Sequence, residues 1–171
     1  MANTYTQIYI QVVFAVEWRQ ALIRPENKEE LHKYITGIVT NKDQKMITIN
    51  SRPDHVHMLL GMKPDIALSD LVREVKKSST GFVNESRWMK GRFNWQAGFG
   101  AFSYSRSALD RVIRYIQNQD QHHAKRSFKD EYLRLFGNST WLSMRGSCLT
   151  SLTRTGWLNA DYRAENITPP G

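Results

Sequence analysis

The sequence predicts an α+β domain in which an antiparallel sheet carries two helices on one face, with an additional C-terminal helix after it. Three observations point there. Residues 7–16, "QIYIQVVFAV", alternate apolar and other residues; "KMITIN" and "HVHMLLGM" are two further strand-like runs joined by the turn-prone "SRPD"; and the intervening segments carry apolar residues at helical spacing. Together they give the order β-α-β-β-α-β-α, whose first six elements are the split βαβ, ferredoxin-like arrangement.

In the first strand Ile8, Ile10, Val12, Phe14 and Val16 share one face. The next segment, "RPENKEELHKYITGIVTNKD", places Leu31, Tyr34, Ile35 and Ile38 on one helical stripe after Pro25 and an acidic first turn. A hairpin is expected over residues 45–62. Leu68, Leu71, Val72 and Val75 mark a second helix that runs on through "KKSSTGFVNES", with Phe82 near its stripe. "RFNWQAGFG" reads as a loop over 92–100, and "AFSYS" (101–105) as a short strand. A third helix is expected from about Ser107 to Arg126, with Leu109, Val112, Ile113 and Ile116 as its buried stripe. This arrangement leaves the sheet's other face, or the extra helix, for a site.

At 171 residues the chain is the length of one domain. Its 24 Lys and Arg against 16 Asp and Glu give a net charge of +8, and the pI of about 9.7 makes a polyanion such as nucleic acid a fitting partner. The apolar run near the N-terminus is interrupted by Gln7, Gln11 and Glu17, so it reads as neither signal peptide nor membrane span, and a cytoplasmic protein is expected. A single cysteine, Cys148, excludes an internal disulfide and a cysteine-rich zinc site, so any metal must be held by nitrogen and oxygen ligands.

Two features carry chemistry. In "RPDHVHMLL" (52–60), His55 and His57 point to one side of a strand and Val56, Met58 and Leu60 to the other. Their Cα atoms lie about 6.6 Å apart at roughly 3.3 Å per residue, so both imidazoles can converge on one ion. The plainer alternative is a polar face of an edge strand with no ligand. Two imidazoles do not close a site, and a carboxylate, an amide or another histidine must complete it. On the third helix Tyr115 and Gln119 form an i, i+4 pair, with His122 close to the same line. That pair would complete a metal site and set a phenol beside it; alone, Tyr115 reads as a boundary tyrosine and His122–His123 as a solvated helix end. A phenolate assisted by a cation can attack a phosphodiester and conserve the bond energy as phosphotyrosine.

With these residues in place, "PDHVHMLL" and the later "YIQNQDQHH" resemble the single-strand tyrosine transposases of the HUH superfamily, the small insertion-sequence enzymes and their REP-associated relatives. The likeness runs from about Thr6 to Phe136 and takes in "TQIYIQVVFAV", "LSDLVREVKKSS" and "FNWQAGFGAFSYS". The resemblance implies a homodimer acting on single-stranded, hairpin-containing DNA with Mg²⁺ or Mn²⁺ as cofactor. It further implies His55 and His57 as metal ligands, Gln119 as the third, and Tyr115 as the nucleophile that forms a 5′-phosphotyrosine and leaves a 3′-OH for rejoining. In some relatives the tyrosine helix completes the partner subunit's site, and sequence leaves cis and trans assembly open.

Arg52, Lys76, Lys77, Arg92, Arg111, Arg114, Lys125 and Arg126, with Arg87 and Lys90, are candidate phosphate contacts. Trp88, Phe93, Trp95 and Phe99 lie among them as stacking platforms would, although core packing is the ordinary role of any one of them. The domain is expected to span 1–136. Residues 137–171 form an atypical tail without clean periodicity. One codon choice for Phe136–Thr150, shifted by two bases, spells "WKFNMVEYERILFD", closer to such a family's tail, so the tail reads as lying outside the ancestral frame. Three alternatives to an active transposase stand beside it: a domesticated nickase or binding protein acting on chromosomal repeats, an inactive decayed copy, and an RNA-binding module on the same fold, which would need an aromatic run where "HVHMLLGM" supplies histidines.

Overall fold

The computed structural model describes residues 5–119. Four strands, β1 (Ile8–Ala15), β2 (Lys45–Arg52), β3 (His55–Met62) and β4 (Gly100–Tyr104), pair antiparallel throughout in the order β2-β3-β1-β4. Helix α1 (Pro25–Asn41) links β1 to β2, α2 (Leu68–Glu85) links β3 to β4, and α3 (Leu109–Gln117) follows β4. This is the ferredoxin-like order expected from the sequence, with β1 and β3 in the middle. No helix among the described residues is long and apolar enough to cross a membrane.

Local sequence accounts for the boundaries. Pro25, which has no N–H to lose, is the first residue of α1, and α1 gives way at Lys42 to Asp43, in left-handed backbone at φ 57°. Between β2 and β3 only Pro53 and Asp54 remain, and their carbonyls accept from the backbone N–H groups of Ile23 and Val16, both at 2.8 Å. Strand β4 begins one residue earlier than expected, at Gly100.

The register sorts side chains onto two faces. Val12, Phe14, Val56, Met58 and Leu60 are fully buried on one face. Helices α1 and α2 lie on that side, with His32 Nε2 2.9 Å from Ser51 Oγ and Lys76 Nζ 5.8 Å from the centre of the Phe14 ring. Gln11, Val13, Ala15, His55, His57 and Leu59 occupy the opposite face. Buried Val112 and Ile116 of α3 pack there against Leu59, with Ile47, Tyr104, Leu109, Ile113 and Tyr115 around them. A bulge between Met46 and Thr48 changes the parity of β2, so that Ile49 pairs with Met58 and Asn50 with His57.

Candidate active site

The α3 face of the sheet buries polar groups that an ordinary core would exclude. His55 is 1% exposed, His57 and Gln11 0%, Asn50 7% and Gln119 0%. β3 is an internal strand, so the edge-strand reading of the histidine pair does not hold. The two rings stand with centroids 5.1 Å apart, and Tyr115 brings its half-buried ring to 6.2 Å from that of His57.

Each imidazole is fixed through Nδ1. His55 Nδ1 lies 2.6 Å from Asp54 Oδ1, and the other carboxylate oxygen takes an ion pair from Arg19 at 2.5 Å. Arg19 reaches it because Trp18 and Arg19 both adopt left-handed backbone, φ 57° and 58°, which folds the chain after β1 back over the β2–β3 turn. Burial would raise the Asp54 carboxyl, but the His55 hydrogen bond and the His55 and Arg19 charges outweigh it and hold it below the usual carboxylate range. The carboxylate only accepts, so His55 Nδ1 carries the proton, and in the neutral ring Nε2 carries the lone pair.

His57 is held differently. Gln11 Nε2 donates to His57 Nδ1 at 2.9 Å, and the Tyr104 hydroxyl donates to Gln11 Oε1 at 2.9 Å. Burial raises the Tyr104 phenol above its ordinary value, against a lowering influence of Arg111. An amide nitrogen cannot accept, so this arrangement puts the His57 ring proton on Nε2.

The position of Gln119 is set by a residue that periodicity does not reveal. Asn50 Nδ2 donates to the carbonyls of Ile116, at 2.7 Å, and Gln117, at 3.2 Å. These carbonyls belong to the last turn of α3. Asn50 pairs across the sheet with His57, so the bond pins the end of α3 beside that histidine. The helix expected to run to Arg126 is interrupted at Asn118, where α3 ends at Gln117; Gln119 is again helical, and residues 120–126 lie outside the described residues. Both amide atoms of Gln119 are buried and make no hydrogen bond.

The donor set of an unbonded buried carboxamide and two buried imidazoles is chemically of the kind that suits an oxygen- and nitrogen-liganded divalent ion. Among the described residues no group of three His, Cys, Asp or Glu could hold a metal, and the buried Gln119 carboxamide is a further oxygen donor they offer. His55 offers Nε2 when its ring is neutral, Gln119 offers its carboxamide oxygen, and His57 fits once its ring proton moves to Nδ1.

The basic candidates divide. Arg52 pairs across the sheet with His55 and is half-buried on the site's face. Arg111 and Arg114 are exposed on α3, and Lys77 and Arg92 are exposed elsewhere. Lys76 lies on the opposite side of the sheet, its ammonium donating to the Gln96 and Gly98 carbonyls at 2.5 and 2.8 Å, and burial lowers its pKa to about 8. Lys125, Arg126, His122, His123 and the tail from 137 lie outside the described residues. Of the aromatics, Phe93 (0% exposed) and Trp95 (8%) are core residues, with Trp95 edge-on to both Phe14 and Phe93. They are not stacking platforms. Trp88 is half-buried and edge-on to Phe82, and Phe99 is half-buried.

Motif and spacing do not single out Asp54, Arg19, Gln11, Tyr104 and Asn50. Asp54 carried a signal, since it directly precedes His55; Gln11 carried one as a polar residue inside an apolar strand.

Comparison with known proteins bears on the family and the fold. The sequence model of the family described as "Transposase IS200 like" matches residues 4–119. The ISDra2 transposase TnpA of Deinococcus radiodurans is 26% identical over 120 residues, covering 66% of this chain and 84% of that protein. A solved structure of a candidate transposase from Deinococcus radiodurans R1 superposes with a TM-score of 0.55 at 21% identity, covering 70% of this chain and 96% of the other. A REP-associated tyrosine transposase solved bound to a REP hairpin gives a TM-score of 0.55 at 16% identity, covering 72% and 73%.

Proposed function

The chain belongs to the IS200-like transposase family, whose general activity is DNA strand transfer in transposition, and on that footing we propose that it cuts and rejoins single-stranded DNA through a 5′-phosphotyrosine on Tyr115. The observation that carries this reading is the Tyr115 ring set 6.2 Å from the ring of buried His57, which itself lies 5.1 Å from that of His55. His55, His57 and Gln119 are the residues that would hold Mg²⁺ or Mn²⁺. Such an ion, when bound, neutralises charge at the phosphate and polarises its oxygens.

In the cleavage step the Tyr115 phenolic oxygen attacks phosphorus. The new O–P bond forms as the bond to the 3′ oxygen breaks; the phenolic proton leaves to solvent, and the departing oxygen takes one up to become a 3′-OH. Rejoining is the reverse, with a 3′-OH as nucleophile and the tyrosine as leaving group. Asp54 orients His55, and Asn50 holds the end of α3 so that Tyr115 and Gln119 keep their place relative to β3. Arg52 on the site's face, and exposed Arg111 and Arg114 on α3, would meet backbone phosphates. The REP hairpin in the related structure supports a hairpin-bearing strand as substrate. A homodimer completes the reading, and sedimentation of the full chain checks it.

The decisive assay incubates the protein with Mn²⁺ and hairpin-bearing single-stranded DNA and resolves products on a denaturing gel. The wild type yields a protein–DNA adduct and Tyr115→Phe yields none; an adduct that survives Tyr115→Phe overturns the assignment.

A further inference from the structure

The two histidines of the candidate metal site are buttressed by different chemistry. Behind His55 stands a carboxylate, which can only accept and therefore holds the proton on Nδ1 in every state. Behind His57 stands a carboxamide, which offers an acceptor at one end and a donor at the other. Gln11 is fully buried, as is His57, so the contact is screened from solvent. Its other end is occupied by the Tyr104 hydroxyl, which can donate or accept.

We propose that Gln11 is a positioning residue that sets the tautomer of His57, with its carboxamide turning over when the metal site is filled. This rests on the metal reading given above. In the arrangement seen, Nε2–H of Gln11 faces His57 Nδ1 and keeps the ring proton on His57 Nε2, the atom a metal would need. A half-turn about the terminal side-chain bond exchanges the amide's ends. Gln11 Oε1 then accepts from His57 Nδ1–H, Gln11 Nε2 donates to the Tyr104 oxygen, and His57 Nε2 is left with its lone pair. The ring proton moves from one nitrogen to the other and no net charge changes. The β1–β3 pairing that sets Val13 against His57 and Gln11 against Leu59 is untouched, because only the amide rotates. A carboxylate at this place would lock His57 in the ligating tautomer, as Asp54 does for His55; the amide makes that tautomer conditional on the ion.

The test uses the full chain and two readouts. With ¹⁵N-labelled histidine, NMR of the wild type is expected to show His57 protonated on Nε2 without metal and on Nδ1 at saturating Mg²⁺. In Mn²⁺ titrations followed by electron paramagnetic resonance, Gln11→Leu is expected to weaken binding by about 10- to 100-fold, the usual effect of removing a support behind a metal-ligating histidine. Gln11→Glu is expected to bind at least as tightly as wild type and to show the Nδ1 proton without metal. Should the buried carboxylate prevent folding, the wild-type spectra and Gln11→Leu decide alone. A His57 tautomer that does not respond to Mg²⁺, or wild-type affinity in Gln11→Leu, overturns the proposal while leaving the metal reading intact. A wild type that takes up no Mn²⁺ overturns both.

Discussion

The two faces of the sheet are built from alternate residues of the same strands, yet they obey different rules. Beneath α1 and α2, Phe14, Val56, Met58 and Leu60 fill the interior with apolar groups that need no partners. Beneath α3, His55, His57, Gln11 and Asn50 are buried too, and just past its end both amide atoms of buried Gln119 make no hydrogen bond. A buried unsatisfied polar group costs roughly 1–3 kcal/mol. One face therefore supplies stability, and the other spends part of it to keep ligand atoms dry and aimed.

Four substitutions can break or sharpen that contrast. The largest effect is expected at Phe14→Ala on the apolar face, with a loss of about 3–5 kcal/mol in urea unfolding, from lost transfer energy and the cavity left behind. Asn50→Ala should cost about 1–3 kcal/mol, because two carbonyls of α3 lose their donor. Faster hydrogen exchange confined to the last turn of α3 would mark it as a local effect. Gln119→Leu should stabilise the fold by about 1–3 kcal/mol in urea unfolding, since it removes a buried amide that makes no hydrogen bond. It should nevertheless weaken Mn²⁺ binding by at least about tenfold, the size expected for damage at a metal site. Equal Mn²⁺ affinity would show that the orphaned amide has another purpose.

The smallest effect concerns pH and belongs to the apolar side. Burial, with a contribution from Lys28, lowers the pKa of His32 from 6.5 to about 4. A group depressed in the folded state stabilises in its neutral form, so its contribution is full above pH 6.5 and falls away as pH drops towards 4. His32→Gln should flatten the melting temperature across that window, as read by circular dichroism.

Much of this organisation was legible in the sequence. Alternation in "QIYIQVVFAV" and "HVHMLLGM" gave the central strands and placed both histidines on one face, because a strand's period of two is local information. What escaped is long-range. The bulge at Met46–Thr48 changes which face Asn50 occupies, and strict alternation in "KMITIN" cannot show it. Asn50 then bonds to the end of α3 from 66 residues away, and α3 ends at Gln117 although Tyr115 and Gln119 have the spacing of one helix. Phe93 and Trp95 sit among basic residues in sequence, as base-stacking aromatics would. The segment instead returns to β1, where Val16 bridges to Trp95, and both rings enter the core.

The central claim is that Tyr115 becomes covalently joined to the 5′ phosphate of a cut strand. The most direct measurement uses hairpin-bearing DNA labelled separately at its 3′ and 5′ ends, trapped with the wild-type protein and Mn²⁺, followed by mass spectrometry of the adducted peptide. The 3′ label should travel with the protein, and the modified peptide should carry its nucleotide on Tyr115. A 5′ label travelling with the protein, or a modified peptide that does not contain Tyr115, would contradict it.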